Sequence, residues 1–167
     1  MTAQTVLVVM GVSGAGKTTV GEMIAARLGW PFVDGDDLQP AANIAKMRGG
    51  TPLTDADRAP WLAAIGAWID ARAEASEPGV VACSALKRAY RDTLRQGRPQ
   101  VRIVYLRGSK LEIAERLAHR EGHFWPAKLL DSQFDDLEEP TADERAIVVD
   151  IAETLEVVAN AVIRQLS

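Results

Sequence analysis

The chain has 167 residues, 47% of them hydrophobic and 25% charged, enough for one core of ordinary size and too few for two comfortable domains. Its formal charge of −4 argues against general nucleic-acid binding, which needs a cationic face to displace counterions from phosphates. The opening Met1-Thr2-Ala3-Gln4 has no positive region and the apolar run after it breaks at Gly11, so neither a secretory signal nor a membrane span fits, and a cytoplasmic location is expected.

Taken in order, the first element is Thr5 to Met10, whose continuous hydrophobicity predicts a central strand buried on both faces. Val20, Met23, Ile24 and Leu28 then share one helical face, and Gly29 follows as a stop signal. Further strands are expected at 31–34, 79–84, 101–107 and 146–150, with helical patterns in most gaps, which predicts five parallel strands. Two gaps are unusual. Residues 38–76 exceed what one crossover helix needs; Gly49 to Pro52 mark a turn there, and Trp61, Leu62, Ile65, Trp68 and Ile69 form a helical stripe. Both tryptophans are expected to pack rather than to stack on a ligand. Residues 119–140 mix charges, glycine and aromatics around one short amphipathic piece, as a lid would. A closing helix is expected from Leu155 to Leu166. The single cysteine, Cys83, lies in an apolar run and reads as a small core residue.

Gly11-Val12-Ser13-Gly14-Ala15-Gly16-Lys17-Thr18 satisfies G-x-x-x-x-G-K-[ST] directly after a predicted strand and before a predicted helix. Its glycines let main-chain N–H groups curl around phosphate oxygens, and the following helix offers its positive end. Lys17 is placed to neutralise the β- and γ-phosphates of ATP, and the Thr18 hydroxyl to ligate Mg²⁺. The nucleotide-binding candidates are Gly11, Ser13, Gly14, Ala15, Gly16, Lys17, Thr18 and Thr19. Such a loop leaves the acceptor open, since kinases, ATPases and non-catalytic switches share it.

The second strand ends in Val33-Asp34-Gly35-Asp36-Asp37, which puts carboxylates at the strand edge where open α/β sheets bind ligands. Asp36 suits the acid that orients a hydroxyl and accepts its proton, Asp34 the metal hydration shell, and Asp37 the cap of the next helix. The third strand leads into Ser84, Lys87 and Arg91, a hydroxyl and cations that would welcome an anionic substrate, with Lys87 and Arg91 at i, i+4 spacing. Arg116 and Arg120, also four apart, enter the lid and are candidate arginine fingers in cis. His123 is a further candidate, and His119 a weaker one.

These residues resemble the gluconokinase family of P-loop kinases, within the group of shikimate and nucleoside monophosphate kinases. The resemblance spans nearly the whole chain. It rests on Met10 to Thr18, on Asp34-Gly35-Asp36 with Pro40, Asn43, Lys46 and Met47, and on Pro52-Leu53, Asp55, Asp57-Arg58 and Pro60-Trp61-Leu62. Cys83 to Lys87, Tyr90-Arg91-Asp92, Leu94-Arg95, Gly122-His123-Phe124, Ser132-Gln133-Phe134, Leu137-Glu138 and Pro140 extend it. It implies one three-layer P-loop domain over 1–167 with strand order 2-3-1-4-5, a helical substrate-binding insert at about 38–76 and a lid at about 119–140. It also implies ATP-dependent phosphorylation of the 6-hydroxyl of D-gluconate, with Asp36 as hydroxyl-binding acid, Arg58, Lys87, His123 and Gln133 lining the substrate side, and a homodimer. Gln39 stands where the family usually has histidine, which leaves the acceptor more open; shikimate, another sugar acid or a nucleoside monophosphate are the alternatives. A P-loop switch without catalysis is the other alternative; no guanine-reading Asn-Lys-x-Asp segment accompanies the loop.

Overall fold

The structure, a computed structural model, describes residues 5–118 and 127–166. At its centre β1 (Val6–Met10) is wholly buried. It pairs in parallel with β3 (Gly79–Ala82) on one side, Val8 opposite Val81, and with β4 (Val101–Arg107) on the other, Val8 opposite Ile103. The short β2 (Phe32–Asp34) joins the outer edge of β3, and β5 (Ile147–Asp150) that of β4, giving the order β2-β3-β1-β4-β5 implied by the resemblance.

Side chains alternate across each strand, so β1 supplies two cores. Leu7 and Val9 face a layer that includes Ile24, Ala25, Ile113, Val158 and Val162, from α1 (Lys17–Leu28), α5 (Lys110–Ala118) and α7 (Leu155–Gln165). Val6, Val8 and Met10 face Trp61, Leu62, Ile65 and Ile69 of α3 (Asp55–Glu74) and Tyr90 and Leu94 of α4 (Arg88–Arg95). Three layers result, and all strand carboxyl ends open on one edge, with β1 at the point where neighbouring connections diverge.

Helix ends follow local chemistry. The α1 helix stops at Gly29, whose φ of 70° and N–H bond to the Ala25 carbonyl form a left-handed cap. Thr54 and Asp57 make a capping box at the start of α3. Between β2 and α3 lies α2 (Ala41–Arg48), tied to α3 by Lys46, which meets both Asp57 oxygens at 2.9 and 2.8 Å. Buried Asn43 adds bonds to Gln39 Oε1 and the Asp57 carbonyl. Gln39, the departure from the family pattern, is thus engaged in holding α2. The sequence-predicted amphipathic piece beyond 119 includes α6 (Ala127–Asp136). Trp61 is buried and Trp68 half-buried, the latter under the Arg72 guanidinium, so both pack as expected. Burial pushes the Cys83 thiol up to about 12, consistent with a core role. Among the described residues, no helix is long and apolar enough to cross a membrane.

Candidate active site

The phosphate loop fills the turn from β1 into α1. Gly16 occupies the position before the helix with φ of 92°, a conformation that disfavours other residues, and a Cβ there would come within 2.8 Å of Leu155. No side chain caps the helix, so its first amides remain turned toward the loop, where a phosphate would meet them. Lys17 Nζ donates to the Val12 carbonyl at 3.3 Å, curled over the loop. Thr18 and Thr19 occupy the first turn.

The Thr18 hydroxyl donates to Asp34 Oδ2 at 2.9 Å, which ties α1 to the end of β2 and sets two hard oxygens side by side. The other Asp34 oxygen accepts from the Asp36 amide at 2.9 Å, so Asp34 caps the 3₁₀ turn Gly35–Leu38. The sequence expectation of Asp37 as cap is therefore corrected: the turn begins one residue after Asp34, and α2 starts only after Pro40. Two further contacts fix this turn. Trp61 Nε1 donates to the Gly35 carbonyl at 2.7 Å, and a Cβ on Gly35 would lie 2.5 Å from the Ala82 carbonyl, so only glycine permits the approach to β3. Asp36 is thereby held beside the phosphate loop. Its side chain reaches solvent, yet enough protein surrounds it for burial to be the main push raising its carboxyl above the ordinary value. Asp34 and Asp37 add to the rise and Lys17 opposes it.

Across the cleft, the chain after β3 runs beside the loop, the Ser84 carbonyl accepting from the Gly11 amide at 3.4 Å. There Arg58 of α3 and Lys87 meet around Tyr90. Arg58 Nη1 donates to the Tyr90 hydroxyl at 2.9 Å, and the two cations stand 5.5 and 5.7 Å from its ring centre. The Tyr90 hydroxyl donates in turn to Asp55 Oδ1, which also lies 3.5 Å from Lys87 Nζ. Asp55 and Tyr90 carried no role in the sequence reading. The signal for Asp55 was its i, i+3 spacing to Arg58 within one helical pattern.

Arg91 is not a substrate ligand. It is fully buried, donates to both oxygens of Glu144, and binds the Ala85 and Leu86 carbonyls at 2.9 and 3.1 Å. Its work is to hold the loop that carries Ser84 and Lys87. Gln133 of α6 faces the phosphate loop, its Oε1 accepting from the Ser13 amide at 2.6 Å and its Nε2 donating to Ser13 Oγ at 2.8 Å. The Arg116 guanidinium binds the Ile151 and Glu153 carbonyls after β5, so in this conformation it is directed there and not at the phosphate loop. Arg120, His119 and His123 lie outside the described residues.

A parallel sheet of this order, with a phosphate loop beside an aspartate-bearing turn and a pair of cations, defines a P-loop small-molecule kinase. The family model described as AAA domain matches residues 6–140. The chain is 51% identical to a gluconokinase of Gluconobacter oxydans, over 95% of this chain and 89% of that one. It is 49% identical to the thermosensitive gluconokinase of Escherichia coli, over 84% and 75%. The crystal structure of a gluconokinase from Sinorhizobium meliloti superposes with a TM-score of 0.91 at 48% identity, covering 99% of this chain and 93% of the other. The chain belongs to the gluconokinase family.

Proposed function

We infer that this protein transfers the γ-phosphate of ATP to the 6-hydroxyl of D-gluconate, giving 6-phosphogluconate and ADP. The observation that carries the reading is Asp36, whose main chain is held by the Asp34 cap and the Trp61 bond to Gly35 and whose carboxylate is close enough to Lys17 to feel its charge. An ionised Asp36 accepts the proton of the sugar hydroxyl as that oxygen bonds to phosphorus. The bond from phosphorus to the β,γ-bridging oxygen breaks, and ADP leaves with the electron pair. Lys17 and the loop amides balance the charge of the transferring group.

Thr18 and Asp34 suit Mg²⁺, Thr18 as ligand and Asp34 through the hydration shell, since both offer hard oxygens beside the phosphate loop. When bound, Mg²⁺ supplies charge neutralisation on the β- and γ-phosphates. Arg58 and Lys87 are assigned to the gluconate carboxylate, with Ser84 and His123 beside them. Gln133 is assigned to the boundary between substrate and phosphate loop, and Arg120 to the transferring phosphate. Arg116, bound where β5 ends, is assigned to the base end of the nucleotide in place of a finger role. ATP dependence and a small polar acceptor suit a cytoplasmic enzyme, and the homodimer implied by the resemblance would be seen in light scattering.

A coupled assay of ADP release with gluconate, shikimate and a panel of sugar acids tests the reading. Gluconate should be the preferred acceptor, and Lys17→Ala and Asp36→Asn should each lower turnover by about a hundredfold or more. ADP release that does not depend on gluconate, or depends only on another acceptor, would reject it.

A further inference from the structure

The acceptor side of the cleft holds a carboxylate that phosphoryl transfer does not require. Asp55 opens α3, but the reciprocal capping bonds at that end belong to Thr54 and Asp57. The Asp55 side chain is 72% exposed, and its Oδ1 stands 3.5 Å from Lys87 Nζ and 3.9 Å from Arg58 Nη1. The same oxygen receives the Tyr90 hydroxyl, which itself receives Arg58. One phenol thus gathers two cations and one anion, three groups of formal net charge +1, and Asp136 also acts on Lys87 through space.

We propose that Asp55 sets the charge selectivity of the acceptor subsite, trimming the Arg58 and Lys87 pair to one net positive charge so that singly charged polyhydroxy acids are favoured over dianions. The proposal rests on the reading above, in which those two cations receive the acceptor's carboxylate. A subsite of charge +2 would draw dicarboxylates and phosphate esters more strongly than the monoanion, because Coulomb attraction grows with ligand charge. It would also attract the triphosphate that belongs in the neighbouring loop. With Asp55 present, the second charge of a dianion finds no uncompensated partner. Asp55 stays accessible to water, so its influence is screened and modest, a matter of discrimination and not of gross affinity.

Two substitutions separate charge from geometry. Asp55→Asn keeps the shape and an acceptor for Tyr90 while removing the charge; Tyr90→Phe keeps the charge and removes the link to Arg58. The readouts are KM for gluconate and the competitive Ki of glucarate, its dicarboxylate counterpart. For Asp55→Asn, the ratio of glucarate Ki to gluconate KM should fall about fivefold at low salt, as expected for one partly screened charge, and the change should shrink as salt is added. For Tyr90→Phe, gluconate KM should rise while the ratio holds. An unchanged ratio in Asp55→Asn, or an equal shift in Tyr90→Phe, overturns the proposal. Calorimetric binding of gluconate and glucarate to the same proteins reads the discrimination without turnover. Failure of wild-type turnover with the binding ratio shifting as expected would count against the function alone, and an absence of binding of either acid would overturn both.

Discussion

The Arg91 guanidinium donates to both Glu144 oxygens, at 2.7 and 3.2 Å, with both side chains fully enclosed. The pair joins the start of α4 to the 3₁₀ turn Ala142–Glu144 ahead of β5, and Arg91 adds two bonds to the Ala85 and Leu86 carbonyls. Removing Arg91 leaves the buried Glu144 with only Arg95, 3.8 Å away, and the Thr141 amide, so Arg91→Met should lower stability by about 3 kcal/mol in urea unfolding. The double variant Arg91→Met/Glu144→Leu should recover part of that loss, because an apolar pair needs no partners. Its KM for gluconate should remain raised, since the Arg91 bonds to the Ala85 and Leu86 carbonyls that help hold the Lys87 loop are then lost.

The same pair should make the protein acid-sensitive. Burial pushes the Glu144 carboxyl up, but the Arg91 bonds and the Thr141 amide outweigh it and hold it below its ordinary 4.5. A depressed folded value means that the stabilisation is complete above the unfolded value and is lost as pH falls through the folded one. Urea midpoints should therefore decline below about pH 4.5, and this part of the decline should be missing from the double variant.

Asp36 has the opposite sign. Its folded value is raised, chiefly by burial and then by Asp34, so the ionised form costs stability above that value and costs none below the unfolded 3.8. Asp36→Asn should thus raise the melting temperature at neutral pH and leave it unchanged in strong acid. Loss of a general base should lower kcat by about 10²–10⁴-fold. In the wild type, the acid limb of kcat should fall at a pH above the ordinary carboxylate value, because the ionised form does the work.

The sheet was legible because parallel strands buried on both faces write unbroken apolar runs, as in Val6 to Met10, and because Gly29 and Thr54 mark helix ends by local chemistry. The phosphate loop was legible for the same reason: its residues are contiguous. Arg91 was misread because the i, i+4 argument requires both residues to be helical. Lys87 is extended, at φ −95° and ψ 143°, and only precedes α4, so the two side chains part company. The clasp of Gln133 on Ser13 spans 120 positions and leaves no local trace in the sequence. Asp55 was visible as a family match, but its role depends on Tyr90, 35 positions away.

Trp61 offers a test of how firmly the Asp36 turn must be held. Its indole N–H is the bond that reaches the Gly35 carbonyl, in a buried setting. Trp61→Phe keeps most of the ring packing and deprives that carbonyl of its donor, which should reduce stability by about 1–3 kcal/mol. The turn it loosens carries Asp36, so kcat should fall while KM for ATP, set by the phosphate loop, holds.

Gln133 occupies the Ser13 amide, a group that the phosphate loop would otherwise offer to a nucleotide. The two bonds tie α6 to the loop before phosphate arrives, and a bound triphosphate would compete for the same N–H. Gln133→Ala should therefore destabilise the nucleotide-free protein more than the nucleotide-bound one. In thermal melts the rise on adding saturating MgADP should be larger for Gln133→Ala than for the wild type, since binding no longer has to displace an internal partner. An equal rise in both proteins would mean that the clasp persists with nucleotide in place, and that Gln133 holds α6 without yielding to phosphate.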